Sequence, residues 1–187
     1  MKIFKIIMSV LLGLVLAILA LGFALDPKWE VSSRLQIAAD KATIFPYINS
    51  LQEWPNWTAW NTKNYPETVN TFEGPPWGVG AIQRWDDGNM QGVIRIIKSK
   101  TNKSIRYELS MEQEKINMQG RIHLQARGDK TLLVWQLKGD AGENPLGRIM
   151  MFVYKPLIIK DLDEGLQNLK LLLEKSSGSI LNRDGID

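Results

Sequence analysis

The chain has 187 residues, a formal net charge of +3 and no cysteine. The missing cysteine excludes disulfides, thiolate metal ligands, a cysteine nucleophile and a lipidated cysteine. Basic and acidic residues are interspersed without a basic block, so we expect no nucleic-acid partner. Apart from an N-terminal apolar segment, about 160 residues remain, which suits one domain with a full hydrophobic core.

The segment Ile6–Leu25 is apolar on every side and carries no charge. At ~1.5 Å per residue, a helix over this run spans roughly 30 Å, the hydrocarbon thickness of a bilayer. Lys2 and Lys5 precede it, so we predict a single-pass membrane anchor with a cytoplasmic N-terminus and the domain on the extracytoplasmic side. The alternative is a cleaved signal peptide and a secreted or periplasmic domain, although signal-peptide apolar regions are usually about 7–15 residues long.

Short strand and helix patterns separated by turn signals follow this segment. The first, Trp29–Ile37, alternates partly between apolar and polar residues, which indicates a strand. Asp40 can cap a short helix, and Ser50 with Glu53 is a capping-box pattern for a second one, which Pro55 is expected to end. The first short helix is predicted at 41–48, and the further strands at 68–72, 81–85, 91–99, 104–111, 117–126 and 131–138. Compact polar turns between the strands indicate an antiparallel meander.

A long helix is predicted to begin at Asn144-Pro145, where an N-cap residue precedes a proline. Pro156 is expected to kink it. Its apolar residues recur at helical spacing on roughly one face: Leu146, Ile149, Val153, Leu157, Leu162, Leu166, Leu169 and Leu173. This helix is the only large amphipathic element available to cover the sheet, so the sheet should curl around it. The predicted divisions are 1–28 for anchor and linker, 29–175 for the domain and 176–187 for a flexible tail.

Four stretches within 29–175 resemble the START-like, pollen-allergen-like superfamily called SRPBCC, and within it the polyketide cyclase/dehydrase group. They are "ATIFPYINSLQEWPNWTAW", "TFEGPPWGVGAIQRW", "KTLLVWQLKGD" and "DLDEGLQNLKLLLE". The resemblance implies an α+β helix-grip fold, in which a curved antiparallel β-sheet wraps around a long C-terminal helix. It also implies a cavity for apolar ligands between the sheet and that helix. The family includes carriers, hormone receptors and cyclases.

The resemblance suggests where a ligand would bind. It places the stretch "EWPNWTAW" against the mouth of the cavity, with Trp54 and Trp57 closing one end of the grip and Trp60 packing on the sheet. The loop Gly74–Gly80 would carry Trp77 over the cavity. The candidate ligand-binding residues are Trp54, Trp57, Trp77, Gln83, Trp85, Tyr107, Trp135, Val153 and Leu157. Core packing is the competing interpretation of the tryptophans, since each ring buries ~150–250 Å²; a membrane-surface role is the third.

Catalytic patterns are missing from the sequence. His123 is the only histidine, and strand alternation turns it away from the apolar face of its strand. Neither Gly-x-Ser-x-Gly nor His-Glu-x-x-His occurs. Asp86-Asp87 and the acidic residues near Asp163 are interpreted as solvated charges, and the direction of Arg95 is left open. We therefore predict no catalytic residue, no metal ligand and no cofactor.

The sequence favours a membrane-anchored binding or carrier domain for a small hydrophobic or amphipathic molecule, lipid-like or polyketide-like. Two alternatives remain. One is a cyclase/dehydrase-like enzyme acting on a hydrophobic substrate, which needs an acid or base inside the cavity. The other is a cell-envelope protein-interaction module with a filled core and no ligand, which an exposed apolar patch would favour.

Overall fold

A seven-stranded antiparallel sheet with a long C-terminal helix forms the domain, which confirms the predicted α+β helix grip. A computed structural model describes residues 2–111 and 116–181, with side chains in the last helix described to residue 174. The helices are α1 (Lys2–Ala24), α2 (Lys41–Asn49), α3 (Trp54–Trp57) and α4 (Pro145–Leu181). The strands are β1 (Lys28–Ile37), β2 (Val69–Glu73), β3 (Ile82–Asp86), β4 (Gln91–Lys100), β5 (Ser104–Met111), β6 (Ile116–Arg127) and β7 (Lys130–Asp140). The predicted tail overlaps the end of α4, and its residues 182–187 lie outside the described residues.

The strands follow the order β1-β7-β6-β5-β4-β3-β2, so β1 and β2 are the edges. Asp40 caps α2 as predicted, because its carboxylate accepts a hydrogen bond of 2.7 Å from the Thr43 N–H. Pro55 does not end the second short helix. It stands in the first turn of α3, where a proline lacks only an N–H that has no helical partner. A 3₁₀ turn, Leu51–Glu53, precedes α3.

The second half of α4 packs against the inner face of the curved sheet. Its leucines Leu162, Leu166 and Leu169 are fully buried against the inner face of the sheet. The Asp163 carboxylate accepts a hydrogen bond from the Ser33 hydroxyl, which joins α4 to the edge strand β1. This half of α4 therefore behaves as the predicted amphipathic helix.

The first half of α4 exposes several apolar residues on the side away from the sheet. Val153 is 61% exposed and Leu157 is 53% exposed, whereas the sequence analysis expected them on roughly the same face as Leu162. The five-residue step from Leu157 to Leu162 rotates the helix by about 140°, which carries the apolar stripe to the opposite side. The helix continues through Pro156 without interruption.

The helix α1 touches the domain at its C-terminal end. Gly22 is its buried residue, and a Cβ there would lie 2.5 Å from the Pro145 carbonyl oxygen at the start of α4. The Arg148 guanidinium donates to the carbonyls of Phe23 and Leu25 at 3.3 and 3.2 Å. Within the described residues, α1 is the one helix long and apolar enough to cross a membrane. Helices of this kind occur both as anchors and as signal sequences.

Candidate functional site

Aromatic rings fill the middle of the grip. Trp54, Trp57, Trp135 and Tyr107 are each no more than 2% exposed. The ring centres of Trp54 and Tyr107 are 5.0 Å apart, and those of Trp57 and Trp135 are 5.2 Å apart. The half-buried Trp60 packs edge-on against Trp135 at 6.0 Å. These spacings lie within the range that favours tilted and edge-to-face ring pairs.

Each buried indole N–H of this cluster has an acceptor. Trp135 donates to the Tyr107 hydroxyl at 2.8 Å, Trp54 to the Ile48 carbonyl and Trp57 to the Tyr47 carbonyl, the last two at 3.2 Å. Without these hydrogen bonds, each buried N–H would lose its contact with water and gain no other acceptor, which would destabilise the folded protein. Burial also raises the pKa of Tyr107 above its ordinary value, so its hydroxyl stays protonated near neutral pH.

Glycines on the neighbouring strands make room for two aromatic rings on the inner face of the sheet. Gly120 of β6 pairs with Tyr107 of β5, and Gly92 of β4 pairs with Trp85 of β3. A Cβ at either glycine would occupy the space of the ring itself. The sequence analysis did not identify these glycines as site residues. The available signal was their position inside strand patterns, where glycine marks a close approach.

α2 and α3 close one end of the grip, where the sequence analysis placed the cavity mouth, and Trp54 and Trp57 are buried there. The opposite end is lined by half-buried side chains. Trp85 lies near the end of β3, Met111 ends β5 and Met118 lies near the start of β6, so antiparallel pairing brings them to the same end of the sheet. Met151 lies in the second turn of α4, which follows β7 after the turn 141–144. We call these four the mouth residues: Trp85, Met111, Met118 and Met151, all half-buried and packed against the core.

The mouth lies at the same end of the domain as the end of α1. Ala24 ends α1 and Lys28 begins β1, so the linker spans no more than about 15 Å. The first residues of β1 pair with the last residues of β7, as Lys28 does with Asp140. The contact of Gly22 with Pro145 brings the start of α4 to the same place.

The structure separates the remaining predicted site residues. Gln83 is 6% exposed on the inner face of β3; its amide nitrogen donates to Asn70 at 2.8 Å, and its Oε1 has no partner among the described residues. Trp77 is 65% exposed, and its loop is tied to α2 by the Gly78 N–H donating to the Asn49 carbonyl at 2.8 Å, at the closed end. Val153 and Leu157 point away from the sheet. The predicted set therefore forms a buried centre (Trp54, Trp57, Tyr107 and Trp135), one mouth residue (Trp85), the buried Gln83 two positions before it on β3, and three outlying residues.

Two surface depressions lie outside the grip. The larger, of about 750 Å³, opens at the outer face of the sheet and is lined mainly by polar residues such as Glu30, Gln119 and Lys138, with the mouth residue Met118 at its edge. The smaller, of about 40 Å³, lies beside the loop of Trp77 and is lined in part by Leu51. Neither lies between the sheet and the second half of α4, where the aromatic rings are packed.

His123 lies on the outer face of β6, as predicted, between the exposed Arg121 and Gln125. Its Nε2 is 2.7 Å from the Gln125 amide nitrogen, and its Nδ1 is buried without a partner among the described residues. Burial, with a smaller effect of Arg121, lowers the pKa of His123. Arg95 is exposed on β4, which decides the direction that the sequence left open.

The lowered pKa of His123 gives a pH-dependent prediction. The unfolded chain takes up this proton near the ordinary histidine pKa of about 6.5, whereas the folded chain takes it up only at lower pH. Stability is therefore fully present above pH ~6.5 and falls as the pH drops toward the folded pKa. We expect His123→Gln to lose less stability than the wild type between neutral and mildly acidic pH, measured by denaturant titration at each pH. Equal losses in both proteins would contradict the prediction.

The sequence profile of the family described as "Polyketide cyclase / dehydrase and lipid transport" matches residues 28–174. The chain belongs to this family. Comparison with curated protein sequences gives no match. The family assignment confirms the resemblance stated above.

Solved structures of the same fold include the norcoclaurine synthase of Thalictrum flavum, with a TM-score of 0.60, 14% identity and coverage of 80% of this chain and 96% of that one. The aromatase/cyclase StfQ of the steffimycin pathway has a TM-score of 0.62 at 12% identity, covering 82% of this chain and 53% of that one. DynU16, from the dynemicin biosynthetic locus, has a TM-score of 0.57 at 13% identity, covering 79% of this chain. The chain spans 48% of DynU16, and at these identities the likeness concerns the fold alone.

Proposed function

We propose that this protein is a membrane-anchored binder or carrier of a small apolar or amphipathic molecule, lipid-like or polyketide-like. The observation that carries the proposal is the mouth of half-buried methionines beside the end of α1, in a grip whose other end is closed. The anchor is α1, with the N-terminus in the cytoplasm and the domain on the extracytoplasmic side, as the lysines before the apolar run favour. Membership of a cyclase and lipid-transport family supports a ligand of this class.

Ligand binding in this proposal depends on repacking at the mouth. Methionine side chains are flexible and polarizable, so Met118 and Met151 can move aside for an apolar ligand at low cost. The ligand would then lie against Trp85, and its inner end would contact the buried aromatic cluster of Trp54, Trp57, Tyr107 and Trp135. The unpartnered Oε1 of Gln83 could accept a hydrogen bond from a polar group of the ligand and orient it. Because apolar molecules concentrate in the bilayer, a mouth at the α1 end would draw its ligand from there.

The polar groups of the interior favour binding over acid–base catalysis. Among the residues whose burial is described, the buried polar side chains are Ser33, Asn49, Thr58, Gln83 and Thr131, together with the Tyr107 hydroxyl. None of them is a carboxylic acid or an imidazole. A cyclase or dehydratase working near neutral pH needs a proton donor or acceptor tuned to that range, and Tyr107 is shifted away from it by burial.

The test is to fill the mouth and look for loss of the ligand. The full chain is extracted in a mild nonionic detergent, and its native mass spectrum is recorded. We expect a one-to-one apolar adduct in the wild type that Met151→Trp and Met118→Trp retain roughly tenfold less well. Adding this bulk where the ligand lies costs about 1–3 kcal/mol, and about 1.4 kcal/mol corresponds to a tenfold change.

Met150→Trp is the matched control, because Met150 is the neighbouring methionine of α4 and is 57% exposed. It should keep the adduct. A wild type without an adduct contradicts the proposal. An adduct that all variants keep equally would show lipid held around α1 rather than in the mouth, which also contradicts it.

A further inference from the structure

The first half of α4 exposes an unusual amount of apolar surface. Four residues at positions i, i+4, i+7 and i+11 form one stripe on the side opposite the sheet, which we call the outer stripe: Leu146, Met150, Val153 and Leu157, all more than half exposed. Phe152 and Tyr154, the chain neighbours of Val153, are also exposed, at 63 and 50%. A contiguous patch of this kind marks an interaction surface, since soluble monomers rarely keep more than about a few hundred Å² of it in water.

The first half of α4 is basic, although the acidic Asp161 follows it directly, four residues after Leu157. Between Asn144 and Lys160 the helix carries three basic residues and no acidic one. Arg148 is held by carbonyls, including that of Gly142 at 3.0 Å. Lys160 lies on the side of the stripe, seven residues after Val153. Its stem is long enough to lie along an apolar surface while its ammonium group reaches an anionic headgroup. Lys155 lies on the other side of the helix and is half-buried. Apolar residues with an aromatic side chain and a lysine beside them occur in helices that lie in a membrane interface.

The outer stripe is also joined directly to the end of the apolar helix α1. Gly22 packs on Pro145 so closely that a side chain at this position would collide with the Pro145 carbonyl. Arg148 bonds the carbonyls of Phe23 and Leu25. The stripe begins at Leu146, between these two contacts. Where α1 leaves a bilayer, the first half of α4 therefore starts at the level of the headgroups.

We propose that the outer stripe of α4 lies in the boundary between headgroups and acyl chains of the membrane that α1 enters. This rests on the proposed anchoring of the chain. The occupant of the stripe is the lipid surface, which the continuity of the stripe with α1, its apolar composition and Lys160 at its end favour. The contact would hold the domain with its mouth against the bilayer, so that α4 is at once one wall of the mouth and a membrane-contacting helix.

The absence of cysteine makes the test direct, because single cysteines can be introduced and labelled with a nitroxide. Val153→Cys and Leu157→Cys report the outer stripe. Gln167→Cys is the matched control, since it is exposed on the second half of the same helix. Leu14→Cys, in α1, reports the anchor. The labelled full chain is reconstituted into vesicles of phosphatidylcholine with phosphatidylglycerol, and spin-label accessibility to oxygen and to a polar nickel complex is measured.

We expect the ratio of oxygen to nickel accessibility at positions 153 and 157 to exceed the ratio at 167 several-fold, because interfacial helices bury their apolar face about 5–10 Å into the membrane. Equal ratios at the three positions overturn the proposal. Shielding of 153 and 157 from both reagents would show a protein contact, such as a second copy, and overturns it as well. The label at position 14 tests separately whether α1 enters the bilayer, and the native mass spectrum tests whether a ligand is bound. A failure of the stripe proposal can therefore be told apart from a failure of the proposed function.

Discussion

Trp135→Ala should lower the free energy of unfolding by about 3–5 kcal/mol, the range for truncating a large buried aromatic residue. Trp135 is fully buried, and its ring contacts those of Trp54, Trp57 and Trp60. The substitution leaves a cavity at the centre of the grip and removes the N–H that the Tyr107 hydroxyl accepts. The measurement is a guanidinium titration of the full chain in a mild detergent, followed by circular dichroism.

Trp77→Ala is the control for this experiment, because Trp77 is 65% exposed in its loop. Its cost should stay within about 0.5 kcal/mol, as for most surface substitutions. If Trp135→Ala were as mild as Trp77→Ala, the aromatic cluster would not be the packed centre of the domain. A ligand cavity would then be the better description of that space.

Gly120→Ala should destabilise the domain by about 3 kcal/mol, the upper part of the usual range for overpacking a core. The new methyl group would occupy the position of the Tyr107 ring, and that ring is only 1% exposed, so it has no free space to enter. Gly92→Ala creates the same conflict with Trp85. Trp85 is half-buried at the mouth and can swing outward, so we expect a smaller loss there in the same titration.

A double-mutant cycle tests the cause of the Gly120 effect. Once Tyr107→Ala has removed the ring, Gly120→Ala should cost much less than it does alone, because neighbours in contact are not additive. Additive losses would mean that the methyl group acts on the backbone of β6 rather than on Tyr107. The comparison between Gly120 and Gly92 then shows how freely the mouth can rearrange relative to the centre.

The elements of the domain could be predicted from the sequence because their signals are local. The alternation around His123 places it outside the grip, and the structure agrees. The cap of Asp40 and the start of α4 after Asn144 depend on residues a few positions apart. The apolar run of α1 needs only its composition. The prediction for Pro55 was wrong because the 3₁₀ turn Leu51–Glu53 leads into α3 and places Pro55 in the first turn of that helix, where a proline is tolerated.

The sequence by itself determined the order of the elements, the family and the membrane-length helix, because each is encoded in neighbouring residues. Only the tertiary structure decided what the tryptophans and the apolar residues of α4 contact. Whether Trp54 meets a ligand or Tyr107 depends on strands far apart in the chain, and the room for that ring comes from Gly120 through the register of β5 and β6. Likewise, Leu157 and Leu162 have the same chemistry, and the packing of α4 on the sheet gives them opposite surroundings.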